Sequence, residues 1–552
     1  MGVFIALFIY LGLANPWGNK LSHPFPHSYL ASDAFYHQSV AQNTKEVGRY
    51  WFTPPYEVGG HEDVIDRHPP LLFEVTAAFS YISGLEVYDS ILIITVLSCL
   101  LFALVFYIIS RNAHKYVAML SLPIMLLVFK APFNVWLFWG YWMFTIGVLF
   151  MISALWSLIR INLEYFYIII GLFLAGAALS HQPEFIFAIG YIVIFSIAHI
   201  IKDKGININY IKKITLAGII GIPLSLFNLI IFSKTSLLSE GYRNVWDLKN
   251  VAAISGLPEM PLMSLGIAGI VSTVGIILFL VSSKKMTLIP AAISLFSFLL
   301  GYLILLGIGK RSYTHRFFWY IYISFFFGLA LYQVLVLIKK SKLIYAAGIT
   351  FILLFVFSQP LFSQTKIGSG VMDPLNWEGL KWVSKNTPQN SYVYYFFSNA
   401  LAHNAPLYSS KRVSFNINTK EYIAALQSGK IQRAYSFGLA DSLPDYLCKI
   451  SRFSFGYYRN HLKPGNDSSY KCENGYKPLE PAPKEHTLKD ICNIEYYYFN
   501  SESNPAALAQ YNMAIRNFLL KNDWIEEVYN NGFVSVLKNN KPGVDCFGNS
   551  TG

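Results

Sequence analysis

Long apolar segments separated by short polar turns dominate the first two thirds of the chain. The segments that are candidates to cross a membrane as helices lie at residues 90–110, 116–129, 137–158, 165–180, 185–201, 214–232, 263–281, 287–308, 317–338 and 343–362. Residues 1–14 are apolar but shorter than the roughly 20 residues of a full span, so they form either a first span or the core of a signal peptide. Because no basic residue precedes them, the span is favoured. The pattern predicts a polytopic α-helical membrane protein with about 11 transmembrane helices.

The pattern changes after residue 362, where the chain becomes polar and rich in Tyr and Asn. Residues 373–390 favour a helix that ends before Pro388, and residues 391–397, reading SYVYYFF, favour a strand. We therefore predict a transmembrane domain over residues 1–362, with a first external loop at 15–89. Residues 363–552 are predicted to form a C-terminal α/β or α+β domain.

Composition agrees with a membrane protein, since 54% of the residues are hydrophobic and only 13% are charged. The formal net charge of +12 does not indicate a nucleic-acid partner, because the basic residues concentrate in turns between apolar segments, as the positive-inside rule describes. The basic residues of alternate turns are Arg111, Lys115, Arg160, Lys202, Lys204, Lys212, Lys213, Lys284, Lys285, Lys339, Lys340 and Lys342. They predict a multi-pass protein of the cell membrane whose C-terminal domain is extracytoplasmic.

Four of the five cysteines lie in the C-terminal part, at Cys448, Cys472, Cys492 and Cys546, whereas Cys99 lies in an apolar segment. The four could form two disulfides in three possible pairings or remain unpaired thiols. Two glycosylation sequons, at Asn466 and Asn549, fit an external location.

The loop over residues 31–84 concentrates ionisable side chains, namely Asp33, His37, Glu57, His61, Glu62, Asp63, Asp66, Arg67 and His68. Charged groups at the edge of a membrane domain are costly to desolvate, so this cluster indicates a site that faces water or a lipid head group. Asp33 precedes a helix-compatible segment, where it is either an N-cap or a functional acid. His37 would share its helix face. Residues 71–82 are too short to cross and are predicted to lie along the interface.

This loop resembles the first external loop of the GT-C superfamily of membrane glycosyltransferases. The similar residues are Asp33 with Tyr36 and His37, GRYWFTPP at 48–55, RHPPL at 67–71 and SGL at 83–85. The superfamily includes oligosaccharyltransferases, protein mannosyltransferases and aminoarabinose transferases, which use polyprenyl-phosphate-linked sugars. The turn AGAALSHQP at 175–183 and Arg316 at the head of an aromatic segment are further similarities.

The resemblance implies roles for individual residues. Asp33 would be the catalytic acid or base, or would bind Mg²⁺ or Mn²⁺ through hard oxygen ligands. Arg316 would bind the lipid phosphate, and the alternative is an interfacial anchor. The other candidate substrate-binding residues are His37, Arg67, His68, His181, Glu184 and Glu240. Without such a role, His181 and Glu184 would flank a solvated turn.

Two departures from oligosaccharyltransferases leave the metal and the acceptor open. The next external turn, KAPFNVWLFWGYW, has no acidic pair, and VYYFFSNALAHNAP stands where an acceptor motif would follow the C-terminal helix. We expect transfer of a sugar from a polyprenyl-phosphate-linked donor to a glycan, lipid or protein acceptor at the extracytoplasmic face of the bilayer. The alternatives are a non-catalytic scaffold, or a transporter or flippase of lipid-linked saccharide, which predicts ionisable residues inside the spans.

Overall fold

The computed structural model describes residues 1–14, 20–30, 32–50, 54, 56, 68–203, 208–235, 265–281, 288–303, 312–337, 372–396, 410–417, 435–437, 488–500 and 506–546. The chain divides into two compact units. The helical unit comprises Met1–Leu21, His68–Val75 and Asp89–Gly368. The mixed unit comprises Ser22–Arg67, Thr76–Tyr88 and Ser369–Gly552, so most of the predicted external loop belongs with the C-terminal part.

Most of the described helices lie in the apolar segments of the sequence. In chain order the helices are α1 Gly2–Ile9, α2 Ser32–Val47, α3 Leu71–Ser83, α4 Val87–Ala113, α5 Lys115–Met125, α6 Val135–Phe138, α7 Trp142–Leu158, α8 Phe166–Ser180, α9 Gln182–Asp203, α10 Ile208–Thr235, α11 Gly266–Val281, α12 Leu288–Leu300, α13 Trp319–Tyr322, α14 Ser324–Leu337, α15 Pro374–Asn386 and α16 Ala506–Leu519. A π-helical turn follows α1 at Tyr10–Ala14, and 3₁₀ helices lie at Leu126–Phe129, Ser312–Phe318 and Ile491–Asn493.

Two helical stretches of the described chain are long and apolar enough to cross a membrane. They are α4 and the continuous run Ser312–Val336, and eight further apolar helical stretches of the described chain have 10–17 residues. The predicted number of about 11 spans is therefore not confirmed. One reason is visible at residues 137–158, where Gly140 adopts a φ of +84° that breaks the helix, so that α7 begins only at Trp142. The predicted segment 343–362 lies outside the described residues.

The helices of this unit approach one another closely and present apolar side chains outward. A Cβ atom at Gly171 of α8 would lie 2.7 Å from the carbonyl oxygen of Ala217 on α10, so only glycine permits this contact. Small residues at helix contacts are typical of membrane proteins. Large apolar side chains such as Val193 on α9 and Ile270 on α11 are exposed. An apolar surface of this kind fits a membrane environment.

The described part of the mixed unit contains a seven-stranded sheet. Its strands are β1 Tyr392–Phe396, β2 Val413–Ile417, β3 Tyr435–Phe437, β4 Leu488–Asp490, β5 Tyr496–Asn500, β6 Ile525–Asn530 and β7 Val534–Asn539. The order is β4-β3-β2-β1-β5-β7-β6, with β1 parallel to β2 and to β5 and with the remaining pairs antiparallel. The sheet and its helices agree with the predicted α/β or α+β class.

The central strands β1 and β5 are buried and aromatic. The stacked rings of Phe396 and Phe499 lie 4.3 Å apart, and Tyr394 and Tyr497, which pair in register, are fully buried. Aromatic side chains of this size bury large apolar areas. This pairing explains why SYVYYFF is correctly predicted as a strand.

A side-chain cap marks the start of α15, and a disulfide is present in the same unit. Asp373 caps α15 by accepting a 2.8 Å hydrogen bond from the backbone N–H of Asn376, which confirms the predicted helix. Cys492 is bonded to Cys546, while Cys99 is a buried free thiol. Cys448, Cys472 and both sequons lie outside the described residues.

Candidate functional site

Helix α2 carries two predicted site residues one turn apart. Asp33 is the second residue of α2 and is exposed, whereas the side chain of His37 is buried. The interpretation of Asp33 as an N-cap is therefore wrong, because it lies within the first turn, where the helix dipole favours a carboxylate. The helix is also tied to its surroundings, since Lys45 donates a 3.0 Å hydrogen bond to Ser80. Asp33 thus presents a carboxylate to solvent from a supported helix.

A second group of predicted residues forms a buried polar cluster in the helical unit. His181 ends α8 in extended backbone, and Glu184 lies in the first turn of α9. The Nδ1 atom of His181 contacts Oε2 of Glu184, and Nε2 of His315 lies 3.1 Å from Oε1 of Glu184. The second contact is within ion-pair distance, although its angles do not reach those of a hydrogen bond. We call His181, Glu184 and His315 the His–Glu–His cluster.

The burial of this cluster is nearly complete. The side chains of Glu184 and His315 are 0% exposed, and that of His181 is 16% exposed. A solvated turn was the alternative interpretation for His181 and Glu184, and the burial of Glu184 shows it to be wrong for that residue. A buried carboxylate is costly unless hydrogen bonds or an opposite charge compensate it. One proton on either imidazole would supply that charge.

His315 is held on its other side as well. Its Nδ1 atom lies 3.0 Å from the hydroxyl group of Tyr322, which is also buried. The rings of Phe144 and Phe187 face the imidazole edge-on at 5.1 and 5.3 Å. The ring plane of His315 is therefore set by polar contacts at both nitrogen atoms and by aromatic packing.

Gly147 of α7 leaves the space that the cluster occupies. A Cβ atom at this position would lie 2.9 Å from Cβ of His181 and 3.3 Å from Oε2 of Glu184. A separation under about 3.0 Å forces neighbouring atoms to move. The backbone of α7 is thus matched to the contact between His181 and Glu184.

Arg316 follows His315 directly and is 9% exposed. Its Nε–H donates a 2.8 Å hydrogen bond to the carbonyl oxygen of Gly301, just beyond α12. The guanidinium carbon lies 5.8 Å from the ring of Trp319 and 5.9 Å from that of Tyr302. These cation–π contacts and the hydrogen bond hold the planar group in one orientation.

The remaining candidates are distributed unevenly. His68 is partly buried just before α3. Arg67, Glu240 and the loop acids Glu57, Glu62, Asp63 and Asp66 lie outside the described residues. Asp33 belongs to the mixed unit and Arg316 to the helical unit. The structure thus brings His181 and Glu184 together and places Asp33 and His37 on one helix.

The predicted metal site is not formed by the residues that the structure describes. Among them, no group of three or more His, Cys, Asp or Glu side chains is arranged to hold a metal ion. The two oxygens of Glu184 face different histidines rather than a common centre. Within the described part of the chain, the predicted Mg²⁺ or Mn²⁺ site at Asp33 is therefore not confirmed.

Sequence reasoning did not assign a role in this region to His315, Tyr322 or Gly147. One signal was available, because His315 and Tyr322 are seven residues apart and so share one face of a helical segment. No sequence pattern relates Glu184 to His315, which are distant along the chain.

No protein-family profile and no curated protein matches this chain. Solved structures do match. Archaeal oligosaccharyltransferase AglB from Archaeoglobus fulgidus, in complex with an inhibitory peptide and a dolichol-phosphate, matches with TM-score 0.50 and 12% identity, over 94% of this chain and 71% of that chain. ArnT from Cupriavidus metallidurans bound to undecaprenyl phosphate matches with TM-score 0.50 and 10% identity, over 98% and 97%.

A complex of the Archaeoglobus fulgidus oligosaccharyltransferase with Zn and sulfate matches with TM-score 0.47 and 15% identity, over 75% of this chain and 61% of that chain. This chain thus spans less than two thirds of the length of that protein. At such identities the matches at TM-score 0.50 establish a shared fold, which confirms the predicted GT-C resemblance.

Proposed function

We propose that this chain, which has the fold of the GT-C superfamily, is a membrane glycosyltransferase that takes a sugar from a polyprenyl-phosphate-linked donor. The main support for the proposal is that both neighbours at TM-score 0.50 bind a polyprenyl phosphate. AglB holds a dolichol-phosphate and ArnT holds undecaprenyl phosphate. Because the match to ArnT extends over 98% of this chain, a common class of lipid donor is the simplest reason for the common fold.

The reaction needs a base and a positive charge. The acceptor gives up a proton while its oxygen or nitrogen atom attacks the anomeric carbon of the sugar. The bond from that carbon to the phosphate oxygen breaks, and the polyprenyl phosphate leaves with the electron pair. A carboxylate can take the proton, and a fixed cation stabilises the charge that develops on the phosphate.

Asp33 is the proposed base. Its carboxylate is exposed in the first turn of α2, so an acceptor can reach it. His37, Arg67, His68 and Glu240 remain predicted substrate-binding residues. The acceptor is a glycan, a lipid or a protein at the extracytoplasmic face.

Arg316 is the proposed phosphate-binding residue. A guanidinium group carries five N–H donors and a permanent charge, and it suits bidentate contact with phosphate. The hydrogen bond to Gly301 and the rings of Trp319 and Tyr302 fix its plane before any ligand binds. Pre-organisation of this kind lowers the entropic cost of binding.

Transfer can be measured with the purified chain in liposomes that contain a panel of polyprenyl-phosphate sugars. We expect transfer by the wild type, a loss of about a hundredfold or more in Asp33→Ala and a smaller loss in Arg316→Ala. The matched controls are Glu86→Ala, which removes another exposed acid of the mixed unit, and Arg111→Ala, which removes an exposed cation. Both controls should keep wild-type rates. Full transfer by Asp33→Ala would contradict the proposed base.

A second candidate function is a transporter or flippase of lipid-linked saccharide. The observation that favours it is the full burial of Glu184 and His315 among apolar helices, because intramembrane ionisable residues often mark transport pathways. Movement of a fluorescent polyprenyl-phosphate sugar between leaflets tests it. Movement without transfer, abolished by Glu184→Gln, would replace the glycosyltransferase proposal.

A further inference from the structure

The His–Glu–His cluster joins two parts of the helical unit that are far apart in sequence. His181 and Glu184 form the corner between α8 and α9, and His315 belongs to the 3₁₀ helix Ser312–Phe318. Glu184 contacts both histidines, one with each carboxylate oxygen. The carboxylate thus ties the segment before α13 to the corner between α8 and α9.

A buried polar cluster of this kind is not required for the stability of a fold. Apolar residues of similar volume usually replace a buried ion pair without loss of stability. The structure nevertheless matches the cluster closely, since Gly147 leaves room for it and Tyr322 binds the far nitrogen of His315. A buried polar cluster that specifies a geometry would account for both features.

The geometry that the cluster specifies includes Arg316. A 3₁₀ helix has three residues per turn, so neighbouring side chains point about 120° apart. When His315 is held between Glu184 and Tyr322, the direction of Arg316 follows from the backbone. That direction leads to the Gly301 carbonyl and to the rings of Tyr302 and Trp319. Release of His315 would let the 3₁₀ segment rotate and Arg316 leave these contacts.

We propose that Glu184 is a positioning residue that acts through His315 to orient Arg316, and so sets the affinity of the chain for the phosphate of its lipid donor. The inference rests on the proposed function, because it takes Arg316 as the phosphate-binding residue. Glu184 itself does not contact the lipid. This assigns to Glu184 an indirect role in place of the direct substrate contact that the sequence predicted.

The test measures the Kd of the purified full-length protein for a fluorescent short-chain polyprenyl phosphate that carries no sugar. Arg316→Ala should raise the Kd about tenfold to a hundredfold, as expected for loss of a charged hydrogen bond. The double variant Glu184→Leu/His315→Phe removes the polar contacts but keeps apolar packing, so it should fold and raise the Kd about tenfold. Glu184→Gln keeps the shape and an acceptor oxygen, and its Kd should stay within about threefold of the wild type.

The Kd of a triple variant tests whether Glu184 acts through Arg316. If Glu184 acts through Arg316, the triple variant Glu184→Leu/His315→Phe/Arg316→Ala should bind no more weakly than Arg316→Ala alone. Gly12→Ala is the matched control for general strain, because its Cβ atom would lie 2.6 Å from Val96 of α4. It should leave the Kd of the folded fraction unchanged.

The outcomes separate this inference from the proposed function. Additive losses in the triple variant, or an unchanged Kd in Glu184→Leu/His315→Phe, would overturn the positioning role while leaving Arg316 as the phosphate-binding residue. A loss in Gly12→Ala as large as that in the double variant would also overturn it. An unchanged Kd in Arg316→Ala would instead overturn the phosphate assignment, and the positioning role with it.

Discussion

Each unit contains a glutamate whose carboxylate contacts several partners, and the surroundings of the two are opposite. Glu184 in the helical unit is fully buried between His181 and His315. Glu527 on β6 is partly exposed and accepts hydrogen bonds from Arg516, Ser535 and Asn530. Water competes for the second set of contacts but not for the first. The contribution of a carboxylate to stability should therefore be large where the group is buried, as in Glu184, and small where it is exposed, as in Glu527.

The largest expected effect is a difference between two alanine substitutions. Glu184→Ala leaves the buried imidazole of His315 and the partly buried imidazole of His181 without their carboxylate. We expect it to lower the free energy of unfolding by about 3–5 kcal/mol. Glu527→Ala should cost less than about 1 kcal/mol, because exposed ion pairs contribute little. Denaturant unfolding in detergent measures both. Equal costs would show that burial does not distinguish the two glutamates.

The space around Glu184 provides a sharper test. Gly147→Ala would place a methyl group against His181 and Glu184, and we expect a loss of about 1–3 kcal/mol from overpacking. Gly190→Ala on α9 is the control, because a Cβ atom there meets no atom within 4 Å. It should be neutral or stabilise the helix by up to about 1 kcal/mol. Thermal unfolding of the two variants should therefore shift in opposite directions or differ clearly in size.

In the mixed unit, a helix cap adds to the stability that the buried strands provide. Asp373→Ala should lower the free energy of unfolding by about 1 kcal/mol, because the Asn376 N–H loses its acceptor. Asp373→Asn keeps an acceptor and should differ from the wild type by only a few tenths of that amount. Hydrogen exchange at Asn376 reports the effect locally. Unaltered exchange in Asp373→Ala would contradict the capping role.

The smallest expected effect is a dependence on pH. Burial raises the pKa of Glu527, but hydrogen bonds from Arg516, Ser535 and Asn530 outweigh it, so that the pKa lies below its ordinary value. A lowered pKa stabilises the fold above the unfolded-state value, and this contribution disappears as the pH falls through the folded-state pKa. The stability of Glu527→Gln should therefore fall less steeply than that of the wild type as the pH becomes acidic. An acid decline identical in Glu527→Gln and the wild type would contradict this.

Asp373, in the same unit, should affect the pH dependence of stability in the opposite direction to Glu527. Burial raises its pKa, and the backbone N–H groups of α15 oppose the shift only in part. A carboxyl group with a raised pKa favours the folded state more as the pH falls. Asp373→Asn should therefore steepen the acid decline slightly, whereas Glu527→Gln should flatten it.

Several elements were predictable because their signals are local. The Asp373–Pro374 pair marks the start of α15, and the aromatic run of β1 marks a buried strand. Asp33 and His37 were placed on one helix from their spacing alone. These inferences succeed because the interacting residues are neighbours in sequence.

The His–Glu–His cluster was beyond such reasoning for a physical reason. Glu184 and His315 meet only after the helices pack, and no periodicity links them. The predicted span at residues 137–158 differs from the structure for a related reason, because hydropathy alone does not indicate the helix break at Gly140. Tertiary packing, rather than composition, decides both.

The bond between Cys492 and Cys546 has a topological consequence. It turns β5, α16, β6 and β7 into a closed ring of main chain that spans 54 residues. A single proteolytic cut anywhere inside this ring leaves both new ends covalently attached. A nicked protein would therefore migrate as an intact chain on a non-reducing gel and would separate into two fragments only after a reductant opens the ring.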